Sequence, residues 1–256
     1  MDKTKLGSVV TSIDRGVATI EFYHPAHNSL PGKLLTQLAG AITQAGENQS
    51  IKVIILKSSG ERTFCAGASF DELIAIKSFE NAKGFFLGFA KVILAMRDCP
   101  KLIVGRVQGK AVGGGAGIAA ATDYCMATQF ASVKLSELAI GIGPFIIGPA
   151  VERKIGLSAM SQLAVNATEW QTAAWAKEKG LFTEVFDTTA QLDAYLETFS
   201  EKLAGFNPEA MRELKKVFWT GTAHWNDLLD ERAAISGRLV LSDFAKAAIE
   251  KFKGKD

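Results

Sequence analysis

The chain has few of the residues that staple or metallate small proteins. Among its 256 residues are three cysteines, Cys65, Cys99 and Cys125, an odd number without CxxC spacing, and three histidines. Neither a disulfide framework nor a zinc site is expected, and the free thiols suit a reducing compartment. His24-x-x-His27 has no further obvious ligands, so no metal is expected. No run of about 18 apolar residues occurs, and MDKTKLGSVV lacks the apolar core of a secretory signal. No membrane association is expected, and the cytoplasm is the expected location. The formal net charge is only +2, with the basic residues scattered. Nucleic acid is therefore not an expected partner, since phosphate backbones demand a concentrated basic stripe. The Gly-Lys-Ser/Thr of a Walker loop is also missing.

What is present is the composition of an ordinary globular protein, 48% hydrophobic and 22% charged, in a chain long enough for one compact unit. SVVTSI (8–13) and VATIEFY (17–23) are β-prone runs split by Asp14-Arg15-Gly16, the pattern of a hairpin. Leu34, Leu35, Leu38, Ala41, Ile42 and Ala45 recur at helical spacing after Pro31, predicting a helix to Glu47. IKVIILK (51–57) and KLIVGRV (101–107) are continuous apolar runs of strand length, of the kind buried on both faces. Between them Phe85, Phe86, Phe89, Val92, Ile93 and Met96 form one stripe of a helix from about Phe79 to Arg97, closed by Pro100. Strand, helix and strand in this order predict an α/β fold with parallel strands. After about residue 188 the strand signals stop. Helices are expected over 189–204 and 208–219, with one long helical stretch from about Trp225 to Phe252.

The stretch VGGGAGIAAATDY (112–124) raises the functional question. Gly115 to Ala120 satisfies GxGxxA, a permissive form of the dinucleotide fingerprint. Against that, seven residues separate the strand from Gly115, and VKLSEL around Glu137 does not read as a buried strand carrying the required acid. Alternatively, the bare backbone approaches a reacting carbonyl and aims an N–H at it, forming half of an oxyanion hole. A second segment of the same character, TFCAGAS (63–69), follows the strand 51–57. Simple tight turns between strands and helices remain the plainer alternative.

FCAGASFDEL (64–73) resembles the FxAGADLxEM segment of the crotonase, or enoyl-CoA hydratase/isomerase, superfamily. GKAVGGGAGIAAATDY (109–124) resembles its GxAxGGGxxLAxxCD segment. HPAHNSLPGKLL (24–35), SELAIGIGPFIIGPAVERKIG (136–156) and the stretch from Ala167 to Val185 are similar to further segments, so the likeness covers most of residues 8–190. It implies an α/β fold, a crotonase-like spiral of repeated ββα units over 1–188. A helical C-terminal region, 189–256, would serve oligomerisation and site closure, with a homotrimer or hexamer expected. It implies acyl-CoA thioester substrates, with coenzyme A as part of the substrate and no permanently bound cofactor.

Carried over residue by residue, the resemblance implies that the backbone N–H groups of Ala68 and Gly114 form an oxyanion hole. Gly114 would lack a side chain because one would obstruct the substrate. The family's hydratases use two glutamates; the first position is Gly117 here, and the second is Glu137, twenty residues on. One carboxylate beside an oxyanion hole suits double-bond isomerisation of a 3-enoyl thioester. SELAIGIGPFIIGP also resembles the NExxLGIxxPF of the family's isomerases. Hydration with a single glutamate and non-catalytic binding of CoA esters are the alternatives. Burial among Leu135, Leu138, Ile140, Ile142 and Phe145 is expected to raise the pKa of Glu137; a solvated carboxylate at a helix start is the plainer one.

His24, Lys33, Ala66 and Ala68 are the expected coenzyme contacts, with Lys57 and tail lysines Lys251, Lys253 and Lys255 as weaker candidates. Phe89, Gly113, Pro144 and Phe145 are the expected acyl pocket. Asp71 and Glu72 are expected as helix-start charges, Asp123 as a structural acid and Asn28 as a turn former. Ser69 stands where the family usually has Asp.

Overall fold

The computed structural model describes residues 6–253. It opens with an antiparallel hairpin of β1 (Ser8–Asp14) and β2 (Val17–Tyr23), turned by Arg15 and Gly16 in the left-handed region. The alternation of β2 buries Ala18, Ile20 and Phe22 fully, which fixes its register against the core. Helix α1 (Gly32–Glu47) follows, its buried stripe of Leu34, Leu35, Leu38 and Ile42 at the predicted spacing.

The chain then repeats one motif, a long buried strand, a short strand and a helix. β3 (Val53–Ser58) and β4 (Thr63–Cys65) lead into α2 (Phe70–Ala75) and α3 (Phe79–Asp98). β5 (Leu102–Val107) and β6 (Lys110–Val112) lead into α4 (Gly114–Ala121). β7 (Tyr124–Thr128) and β8 (Ser132–Lys134) lead through a 3-10 turn (Glu137–Ile140) into α5 (Gly148–Val165). β9 (Gln171–Thr172), α6 (Ala173–Glu178) and β10 (Glu184–Phe186) complete the spiral. The strands sort into two sheets, ordered β1-β2-β3-β5-β7-β10 and β4-β6-β8-β9. β3, β5 and β7 pair in parallel, and so do β4, β6 and β8. Each turn therefore adds one strand to each sheet and delivers its helix start beside the last.

Four helices follow: α7 (Thr189–Ala204), α8 (Pro208–Phe218), α9 (Trp225–Val240) and α10 (Asp243–Lys253). The single helical stretch expected from Trp225 to Phe252 is broken at Leu241, and Ser242 Oγ accepts from the Ala245 N–H to start α10 anew. This cap competes with a continuing helix, a local use of serine that hydropathy does not register. VKLSEL does hold a strand, β8, but it ends three residues before Glu137.

The helical tail packs on its own core. A buried ion pair joins Lys215 of α8 to Asp123 at 2.7 Å, both side chains 3% exposed. Asp123 also accepts from the Ile103 N–H and from Trp219 Nε1–H. α9 runs antiparallel to α3, with Arg97 near Asn226 at one end and Gly237 against Lys83 at the other.

Candidate active site

The two glycine-bearing segments leave adjacent parallel strands. β4 and β6 pair through Thr63 with Lys110 and Cys65 with Ala111, so Ala66-Gly67-Ala68 and Val112-Gly113-Gly114 emerge side by side. Gly67, at φ 89°, lies so close that a Cβ there would stand 2.9 Å from Val112 O and 3.5 Å from Gly114 N. Gly113, at φ 51°, turns the chain into α4 and leaves Gly114 as its first residue. The first amides of a helix have no partner within it. Among the described residues, neither the Gly114 nor the Ala68 N–H has a hydrogen-bond acceptor. Both residues line one pocket.

The glycine triplet is demanded on three sides. A Cβ on Gly113 would stand 2.8 Å from Glu137 Oε1, one on Gly114 2.1 Å from the ring of Phe89, and one on Gly115 2.5 Å from Cys65 O. The absence of a side chain at Gly114 therefore admits the Phe89 ring, which is itself part of the pocket wall.

Glu137 begins the 3-10 turn three residues past the end of β8, which pairs with β6. That pairing sets the carboxylate over Gly113, beside the unpartnered Gly114 amide. The residue as a whole is half-buried, yet Oε2 is enclosed and has no hydrogen-bond partner. Burial pushes its carboxyl up to about 7, with its own backbone N–H opposing. This is the range in which a carboxylate can both take and return a proton near neutral pH.

The remaining pocket wall is apolar: Phe70 and Leu73 from α2, Phe86 and Phe89 from α3, and Ile140, Ile142, Pro144, Phe145 and Ile147 around the start of α5. Among the described residues that line it, Glu137 is the only ionisable one; Ser136 and Ser236 are the hydroxyls. Gly117, where a second carboxylate would stand by resemblance, is closed off. A Cβ there would lie 2.4 Å from Cβ and Cγ2 of Ile147.

Phe89, Gly113, Pro144 and Phe145 all lie in the pocket wall, as do Ala66 and Ala68. Of the phenylalanine stripe, Phe85 stands edge-on to Phe86 and packs with the cluster of Leu73, Ile140 and Val240. His24 is engaged within its own turn: Nδ1 accepts from the Ala26 N–H and shares a hydrogen bond with Ser29 Oγ. Burial lowers its pKa, against the opposing fields of Asp71 and Glu72. Lys33 is exposed in the first turn of α1. Lys57 pairs with Glu21 at 2.9 Å. Lys251 is exposed on α10, the side chain of Lys253 is not described, and Lys255 lies outside the described residues.

Ser69 caps α2, accepting from the Glu72 N–H, and Glu72 accepts from the Gly32 N–H at 2.8 Å. A serine serves this N-cap role as well as aspartate does. Asn28, in the left-handed region, bonds to the His24 N–H and to the carbonyls of Ser59 and Thr63, tying the turn to β4. Ile147 and Ser236 were not identified from the sequence; no local pattern brings α9 to a pocket built by residues 66–147. Among the described residues no cluster of three or more His, Cys, Asp or Glu side chains is placed to hold a metal, and no helix is long and apolar enough to cross a membrane.

Comparison with known proteins gives a consistent family. The enoyl-CoA hydratase/isomerase family profile matches residues 12–254. The chain is 27% identical over 220 residues to the peroxisomal Delta(3,5)-Delta(2,4)-dienoyl-CoA isomerase of Arabidopsis thaliana, covering 80% of this chain and 77% of that protein. It is 26% identical over 219 residues to the short-chain-enoyl-CoA hydratase of Clostridium acetobutylicum, covering 85% and 83%. The crystal structure of an enoyl-CoA hydratase from Bacillus halodurans superposes with a TM-score of 0.87 at 23% identity, covering 95% of this chain and 99% of that one. At that identity the last similarity establishes the fold.

Proposed function

The chain belongs to the enoyl-CoA hydratase/isomerase family, and from that premise we propose that it isomerises 3-enoyl-CoA thioesters to 2-enoyl-CoA thioesters. The observation that carries this reading is the single carboxylate. Glu137 stands beside the free amides of Ala68 and Gly114, and Ile147 occupies the space where a second acid would enter.

In the proposed reaction the thioester carbonyl accepts from the Ala68 and Gly114 N–H groups. Ionised Glu137 removes a proton from C2, and the electron pair delocalises as a dienolate whose oxygen carries the negative charge. Two fixed amide donors stabilise that charge more than they stabilise the neutral carbonyl; removal of one donor in comparable sites costs roughly 2.7–4 kcal/mol. The protonated Glu137 then delivers the proton to C4, the C3=C4 bond becomes C2=C3, and the carboxylate is regenerated. No water takes part, in keeping with an apolar wall and one proton carrier. Hydration is better served by two carboxylates orienting a water between them.

We assign coenzyme A as part of the substrate, with Ala66 and Ala68 at the thioester end and His24 and Lys33 as the polar contacts, and we propose a homotrimeric assembly. The chemical reading is tested with 3-hexenoyl-CoA and crotonyl-CoA as substrates for the parent protein and Glu137→Gln. Isomerisation of the former, abolished by the substitution, is the expected result. Hydration of crotonyl-CoA without isomerisation overturns it in favour of a single-glutamate hydratase; inactivity on a broad acyl-CoA panel, with binding retained, overturns it in favour of a binding protein.

A further inference from the structure

Ser236 is a buried hydroxyl in the pocket wall with nothing to bond. Its side chain is on α9, the residue is 1% exposed, and Oγ has no hydrogen-bond partner. A helical serine ordinarily disposes of its hydroxyl on a carbonyl one turn back. Two others here do so: Ser161 donates to Ser158 O and Ser200 to Glu197 O. An enclosed hydroxyl without a partner destabilises the folded protein unless something completes it.

The position of Ser236 follows from the register of α9 on α3. Gly237 abuts Lys83, which sets Ser236 level with about residue 84 in an antiparallel pair. Phe89, whose ring abuts Gly114 at the thioester end, is about five residues further along α3, or about 7 Å at helical rise. An extended chain gains about 1.2 Å per single bond, so an acyl chain that follows α3 from the thioester end would reach Ser236 roughly six bonds beyond the thioester carbon. Phe86 and Phe145 lie on the same pocket wall. An apolar site of this kind admits a neutral oxygen that accepts one hydrogen bond, whereas a carboxylate would be left uncompensated.

We propose that Ser236 is a specificity-determining residue that donates to a neutral oxygen, of the ketone or hydroxyl class, carried well along the acyl chain. The proposal rests on the acyl-CoA reading above but not on which reaction Glu137 performs. It is tested by calorimetric binding of saturated, unreactive thioesters: octanoyl-CoA against 5-, 6- and 7-oxo-octanoyl-CoA, with the parent protein and Ser236→Ala. The expected result is that at least one oxo compound binds the parent about five- to tenfold more tightly than octanoyl-CoA, the worth of one hydrogen bond. In Ser236→Ala that preference disappears, and octanoyl-CoA binds at least as well as before. Equal binding of all four compounds to the parent, or a preference that survives in Ser236→Ala, overturns the proposal. No binding of any thioester removes the acyl-CoA reading and this inference together. Binding preference without isomerisation of 3-hexenoyl-CoA leaves Ser236 in place and rejects only the proposed reaction.

Discussion

Glu137 is expected to govern both rate and stability through one titration. As a base it must be ionised, so kcat/KM for 3-hexenoyl-CoA should fall about tenfold per pH unit below about 7, where burial has set its carboxyl. The same elevation opposes folding at high pH. Between the ordinary value of 4.5 and about 7 the native state holds a proton that the unfolded chain has released, so stability falls as pH rises through that window. Above it the penalty is on the order of 3 kcal/mol. Glu137→Gln should therefore melt roughly 5–10 °C above the parent at pH 8 and level with it at pH 4, as read by thermal denaturation. Gly114 offers a second test at this scale. Gly114→Ala places a methyl group 2.1 Å from Phe89 and should abolish turnover, and a compensating Phe89→Leu should restore stability more than activity.

At the scale of elements, α4 and α5 meet so closely that Gly117 has no room for a side chain. Gly117→Glu should cost at least about 3 kcal/mol in urea denaturation, from overpacking and an unpaired buried carboxylate. Combined with Ile147→Ala, the same change frees space for a second acid. That double variant should gain hydration of crotonyl-CoA over the parent, measured as 3-hydroxybutyryl-CoA formed. α8 is held by a different device. Lys215→Ala leaves the Asp123 carboxylate buried without its cation, and the expected loss is about 3–5 kcal/mol, with α8 the first segment to gain hydrogen exchange.

For the molecule as a whole, the tail has two faces. α9 closes the pocket of its own chain through Ser236, and Phe244 of α10 packs on Gly141 beyond the 3-10 turn. α8 turns Leu214, Val217 and Phe218 outward, exposed by 46%, 66% and 43%, at the i, i+3, i+4 spacing of one stripe. The proposed trimer gives that stripe a partner. Sedimentation of the parent at about three times the chain mass, and a shift toward the monomer in Leu214→Glu/Val217→Glu, are the expected outcomes; a parent that sediments as a monomer rejects the assembly.

The sequence by itself determined the hairpin, the long buried strands β3 and β5, the helices α1 and α3, and the helical tail; the short strands of the second sheet left no apolar run to read. Buried strands announce themselves by unbroken apolar runs, helices by their stripes, and the two glycine segments by following strands; Ala68, Gly114 and Glu137 became a set through the resemblance of their segments to the crotonase family. Their meaning as neighbours came from strand pairing: β4 beside β6 and β6 beside β8 bring residues some seventy apart in the chain to one pocket. Only the tertiary structure decided what fills the space around them. That the Phe89 ring leaves no room for a side chain at Gly114, that Ile147 excludes a second acid at Gly117, and that Ser236 of α9 reaches the pocket wall are facts of close packing. Packing contacts depend on side chains from elements distant in sequence, and no local periodicity records them.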